Sequence, residues 1–138
     1  MKIGTQLGIP LGEKVIQKGT GVAGNVQTII TVPAAERWKL LNASIVLTTD
    51  ATVVNRYPNL TTRDVDDDRK FSANATVVTA GLTAIDRYWT LPLSRIDQAV
   101  NALGLQIMNV GEDVVLSITG GVAGDAYDYL VEYLRVNI

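Results

Sequence analysis

The chain has 138 residues, 47% hydrophobic and 19% charged, with a formal net charge of −2, no cysteine and no histidine. That size fits one domain with a substantial core, and that apolar fraction excludes an intrinsically disordered chain. Disulfides and thiolate metal sites are excluded, the commonest catalytic base and metal ligand is missing, and the charge balance gives no general pull towards nucleic acid.

Residues 1–25 differ in composition from the rest. They hold glycines 4, 8, 12, 19, 21 and 24, and Lys2, Lys14 and Lys18 against Glu13 make them basic. No period of 2 or 3.6 runs through them, so the expectation is an extended or flexible arm, either a bland terminal tail or a segment whose Lys2, Lys14 and Lys18 meet a partner surface. No apolar h-region opens the chain, and no apolar run approaches the roughly 18 residues of a membrane span, so neither a leader nor a membrane partner is expected.

From Val26 to the end, the pattern is that of one β domain. Val26, Thr28, Ile30 and Val32 share a strand face that stops at Pro33. Leu41, Ala43, Ile45 and Leu47 alternate with Asn42, Ser44 and Thr48, which marks a half-buried strand. Trp38, Leu40 and Val46 fall on its opposite face and suggest a second contact surface. Asp50-Ala51 turns into a strand over Thr52–Tyr57, and Pro58-Asn59 breaks the chain again. Phe71, Ala73, Ala75 and Val77 predict a further strand, Ala80-Gly81 a turn, and Ile85, Trp89 and Leu91 another strand. Leu93–Ala102 is the one segment that suits a helical turn or two. Short strands follow at Leu103–Met108 and from Val114, with the last one spanning roughly Tyr127 to Asn137.

Eight or so strands at this spacing, without βαβ alternation, predict an all-β antiparallel sandwich of residues 26–138 behind the arm. An eight-stranded jelly roll leads, and an immunoglobulin-like sandwich without its disulfide is second.

The motifs that might carry chemistry are weak. Gly19-Thr20-Gly21-Val22-Ala23-Gly24 matches GxGxxG, but a β-type run follows it, where phosphate binding needs a helix N-terminus. Asp64, Asp66 and Asp68 match the first three ligand positions of a calcium loop. Arg69 then occupies the glycine position, and Ala75 the place of the bidentate glutamate, leaving at most a partly hydrated cation site. The scattered acids support no glycosidase pair, and no histidine is available to activate a serine. An enzyme is therefore not expected, nor is a cofactor. Asn42-Ala43-Ser44, Asn59-Leu60-Thr61 and Asn74-Ala75-Thr76 are sequons, read as chance. Tyr127, Tyr129 and Tyr133 share one face of the last strand, while Leu130, Leu134, Val136 and Ile138 take the other. Two apolar faces are more than one solvated sheet needs, so the tyrosines predict a subunit interface.

The stretch Pro33-Ala34-Ala35-Glu36-Arg37-Trp38-Lys39-Leu40, then Thr48-Thr49, then Val53-Val54-Asn55-Arg56, with Leu91-Pro92-Leu93 later, resembles the small jelly-roll decoration proteins of tailed-phage heads. In that family a strand ends at a Pro-Ala-Gly turn, a Trp-x-Leu strand follows, and an Asn-Arg pair closes the next strand. Ala35 stands where the turn glycine is expected. The resemblance implies a structural virion protein, made in the host cytoplasm, that trimerises on the capsid exterior and binds the major capsid protein shell. It implies that Trp38 covers the open end of the sandwich and that Arg56 pairs with an acid across a subunit boundary. Other virion roles (a single-jelly-roll coat, fibre or tail protein) and a carbohydrate- or receptor-binding module stand as alternatives.

Overall fold

The computed structural model describes residues 12–22, 27–74, 77–79, 84–90, 100–102 and 106–138. Among them lie ten strands and no helix: β1 (Glu13–Val22), β2 (Thr28–Thr31), β3 (Glu36–Thr48), β4 (Tyr57–Arg63), β5 (Arg69–Asn74), β6 (Ala84–Thr90), β7 (Val100–Ala102), β8 (Gln106–Met108), β9 (Asp113–Thr119) and β10 (Ala126–Asn137). The larger sheet has the order β1-β10-β3-β6-β7, with β8 on the free stretch of β3 beyond β6; the smaller has the order β2-β9-β4-β5. All pairings are antiparallel except the short one between β6 and β7. Four of the pairings are nested: β1 with β10, β2 with β9, β3 with β6 and β4 with β5.

The two sheets enclose one apolar core. Trp38, Leu40, Ala43, Ile45, Leu47, Trp89 and Val131 enter it from the larger sheet, and Ile30, Leu60, Val114, Leu116 and Ile118 from the smaller. Trp38 and Leu40 therefore face the same way as Ala43, Ile45 and Leu47, although strict alternation puts them on the opposite face. The cause is a bulge. Tyr133 stands opposite Leu40 and Glu132 opposite Asn42, so Leu41 is one residue too many and reverses the parity of everything before it. Of the second contact surface expected on β3, Trp38 and Leu40 are instead part of the core, where the Trp38 ring stacks on Tyr133 with centroids 3.9 Å apart, and Val46 alone keeps to the outer face.

Three other expectations change. Of the segment 1–25 expected to be an arm, residues 13–22 form β1, paired residue for residue with β10 from Glu13 opposite Arg135 to Val22 opposite Ala126. Residues 1–11 and 23–26, including Lys2, lie outside the described residues. The strand lacks an apolar period because its inward positions include Gly19 and Gly21, and the rings of Tyr129 and Tyr127 from β10 take that space. A Cβ on Gly19 would stand 2.5 Å from the Tyr129 hydroxyl, and one on Gly21 would fall on Tyr127 Cζ. The neighbouring strand thus supplies the hydrophobic cover that a strand usually carries itself.

Next, the strand expected over Thr52–Tyr57 begins only at Tyr57 and runs through Pro58 to Arg63. Pro58 is tolerated near the strand's start because pairing with β5 begins only at Asn59. The helical turns expected over 93–102 lie mostly outside the described residues, and their last three positions form β7. Ala35 adopts the left-handed φ of 64°, a region that glycine enters without the steric cost of a Cβ.

Candidate functional site

Arg56 leads the candidates, and it is fully buried. A two-way backbone bridge with Val78 (Arg56 N to Val78 O 2.8 Å, Val78 N to Arg56 O 2.9 Å) draws it inside. Its five N–H groups all have acceptors. Nε donates to Asp125 Oδ2 at 2.6 Å, and Nη2 donates to Asp125 Oδ1 and Asp50 Oδ1, both at 3.0 Å. Nη1 donates to the carbonyls of Val54, at 3.2 Å, and Thr79. Asp125 also accepts the amides of Asp50 at 2.9 Å and Val122 at 3.0 Å. Burial alone would raise the Asp125 pKa; the Arg56 guanidinium and those two amides outweigh it and hold the carboxyl below its ordinary range. Gly124 leaves room for the Asp50 carboxylate, since a Cβ there would fall on Asp50 Oδ2.

The acid that meets Arg56 is therefore Asp125 of the same chain, and the expected pairing across a subunit boundary gives way to an internal lock. It ties the loop before β4, the segment after Val78 and the β9–β10 loop together, and it leaves no guanidinium proton for a ligand. A forked, fully hydrogen-bonded pair of this kind is the arrangement that makes burying two charges tolerable.

The expected tyrosine interface is likewise internal. Tyr127 and Tyr133 are each 2% exposed, and Tyr129 packs against the same core. The Tyr127 hydroxyl reaches the other sheet at Thr28 Oγ1, 2.6 Å away. The Tyr133 hydroxyl accepts a 2.7 Å hydrogen bond from Gln17 Nε2. Its pKa is raised, first by burial and then by Glu36, against the lowering effects of Gln17 and Arg135. Rings with so little exposed area have almost none to bring to a partner.

The three aspartates do not converge on a cation. Asp64 Oδ1 turns back on its own loop and accepts the amides of Asp66 and Asp68, each at 2.9 Å. Among the described residues, no three acidic groups gather as a ligand set. The loop needs this internal bond because Asp67 sits at a left-handed φ of 65°.

Of the expected lysines, Lys14 and Lys18 project from the outer face of the larger sheet, since they alternate with the inward Val15, Gln17 and Gly19. There Lys14 stands opposite Leu134 and Lys18 opposite Leu130. Lys14 Nζ also lies 3.4 Å from Glu132 Oε1. This face mixes cations with Leu130, Leu134 and the half-exposed Ile16.

The outer face of the smaller sheet holds a feature the sequence reading missed. β4 sends Pro58, Leu60 and Thr62 inward, so Tyr57, Asn59 and Thr61 point out, with Ser117 and Thr119 of β9 opposite them. Together with Ser72 and Arg69 of β5 they line a depression of about 490 Å³. Asn59 Nδ2 donates to Thr119 Oγ1, and Thr61 and Ser72 share a 3.3 Å hydroxyl contact. The signal that would have found it is the polar period of two in Tyr57–Arg63, which reading Pro58-Asn59 as a break conceals. The chain matches no protein-family model, no curated protein and no solved structure.

Proposed function

We propose that the chain is a jelly-roll structural subunit of a tailed-phage head, a homotrimer that binds the outside of the major capsid protein shell and stabilises it. The observation that carries this reading is the strand order. Rolling one long pair of antiparallel arms into two layers gives nested pairs, and outside the innermost hairpin it sends successive strands to opposite sheets. The orders β1-β10-β3-β6 and β2-β9-β4-β5 are what such rolling produces, with β7 and β8 as short additions. An immunoglobulin-like sandwich fits less well, because it keeps neighbouring strands of a hairpin in one sheet near its start.

A fold hosts many functions, so the virion role rests on the resemblance in residues 33–56 together with this order. The assembly face in this reading is the outer side of the larger sheet, where Ile16, Leu130 and Leu134 alternate with Lys14 and Lys18. Apolar side chains with Lys14, Lys18 and Glu132 among them make a contact surface of mixed character. The buried ion pairs serve loop geometry, which agrees with a protein that works by surface complementarity.

The test is the absolute mass of the full chain by light scattering, joined to its recovery with head particles of the virus that encodes it. A trimer that co-sediments with heads, and that Leu134→Glu dissociates, supports the reading. A monomer that stays in the supernatant overturns it.

A further inference from the structure

We propose that the outer face of the smaller sheet is a binding site for an acidic oligosaccharide. This inference goes beyond the assembly role and concerns the opposite sheet. The depression over β4, β5 and β9 holds about 490 Å³, within the roughly 300–1,000 Å³ usual for small-ligand sites.

Its chemistry is selective. Thr61, Ser72, Ser117 and Thr119 contribute hydroxyls, and Asn59 an amide. Each of these groups can both donate and accept, as sugar hydroxyls do. Two are fixed in advance: Asn59 is only 8% exposed, and its amide is held on the Thr119 hydroxyl. Fixing polar groups before the ligand arrives lowers the entropy cost of binding. Tyr57, 39% exposed, offers a ring face at the rim for stacking on the apolar side of a pyranose.

Arg69 decides the charge. Every other arginine whose side chain is described is engaged: Arg37 with Asn109, Arg56 with Asp125, Arg63 with Asp113 and Arg135 with Glu13. Arg69 alone among them makes no hydrogen bond or ion pair, and it lines the depression, whose described lining contains no carboxylate. Lys70 is an extra residue between the Arg63–Arg69 and Thr62–Phe71 pairs, and this bulge sets Arg69 opposite Arg63, whose own charge is met by Asp113. An unpaired guanidinium among hydroxyls and an amide fits a carboxylate carried on a sugar, which it can clasp through two parallel hydrogen bonds.

The experiment is calorimetric titration of the full chain with oligogalacturonate and with sialyllactose, against galacto-oligosaccharide and lactose as neutral counterparts. Binding of at least one acidic sugar, tighter than its neutral counterpart, is expected. Arg69→Gln should weaken the acidic sugar about tenfold and erase the discrimination. Tyr57→Ala should weaken binding by a similar factor, while Lys18→Gln on the other sheet leaves it unchanged. Thermal unfolding of each variant verifies that it folds. The proposal is overturned if neither acidic sugar binds, if Arg69→Gln binds as the parent does, or if Lys18→Gln weakens binding as much as Arg69→Gln.

Discussion

Replacing Arg56 by methionine keeps the length and most of the volume of the side chain and removes its charge and five donors. Asp125 would then remain buried, its side chain 0% exposed, with only the amides of Asp50 and Val122 as partners. Removing one member of a buried pair typically costs about 3–5 kcal/mol, because the other charge is left uncompensated. Unfolding entropy of about 2.1 cal/mol/K per residue gives roughly 0.3 kcal/mol/K for 138 residues. The expected fall in melting temperature is therefore about 10–17 °C. A thermodynamic cycle separates the lock from general damage to the core: urea unfolding of Arg56→Met, Asp125→Ala and the double variant. The double variant should be more stable than the sum of the single losses implies, by about 2–3 kcal/mol. Arg135→Met removes a half-exposed cation shared between the largely exposed Glu13 and, at 3.3 Å, Glu36, and should cost about 1 kcal/mol. Strict additivity of the two single losses, or an Arg56→Met loss as small as that of Arg135→Met, would refute the lock.

Acid should weaken the same lock. Asp125 has a native pKa below its ordinary 3.8, so its contribution is complete above that value and is lost as pH falls through the lower native one. The stability gap between parent and Asp125→Asn should narrow as pH falls below 3.8, and a gap independent of pH would contradict the assignment. Gly21→Ala should destabilise by about 1–3 kcal/mol in urea, since the buried Tyr127 ring cannot move aside. Gly19→Ala should cost less, because it meets the hydroxyl end of the less buried Tyr129, and equal costs would argue against the ring-over-glycine packing. Ala35→Gly should raise stability by about 0.5–1 kcal/mol, relief of left-handed strain exceeding the entropy lost. A fall in melting temperature would place that turn elsewhere in backbone space.

The β class of the chain is legible because Ala43, Ile45 and Leu47, and likewise Val114, Leu116 and Ile118, alternate without interruption. The bulge at Leu41 is not, since two adjacent leucines give no hint which is the extra one; only the partner strand decides. β1 escapes notice because its inward positions are filled by tyrosines more than a hundred residues away. The partner of Arg56 stands 69 residues further along the chain, and no local spacing distinguishes Asp125 from the chain's other acids. Polar side chains on the outer face of β4 do follow the strand period, but a proline at the strand's second position makes the run look like a turn.

The nested pairing also sets when the molecule can fold. β10 is the inner neighbour of both β1 and β3 in the larger sheet, and Arg135 meets Glu13 across 122 residues. At synthesis rates of about 5–20 residues per second, β1 waits on the order of ten seconds for β10, its partner among the described residues, to be made. Until then it and β3 are open edges, the state in which strands pair with the wrong chain. The β4–β5 hairpin needs no such wait and is the natural first element to form, while closing the long outer loops makes the larger sheet slow. A ribosome stalled short of β10 would release an aggregation-prone chain, and truncation within β10 would remove an interior strand of the larger sheet.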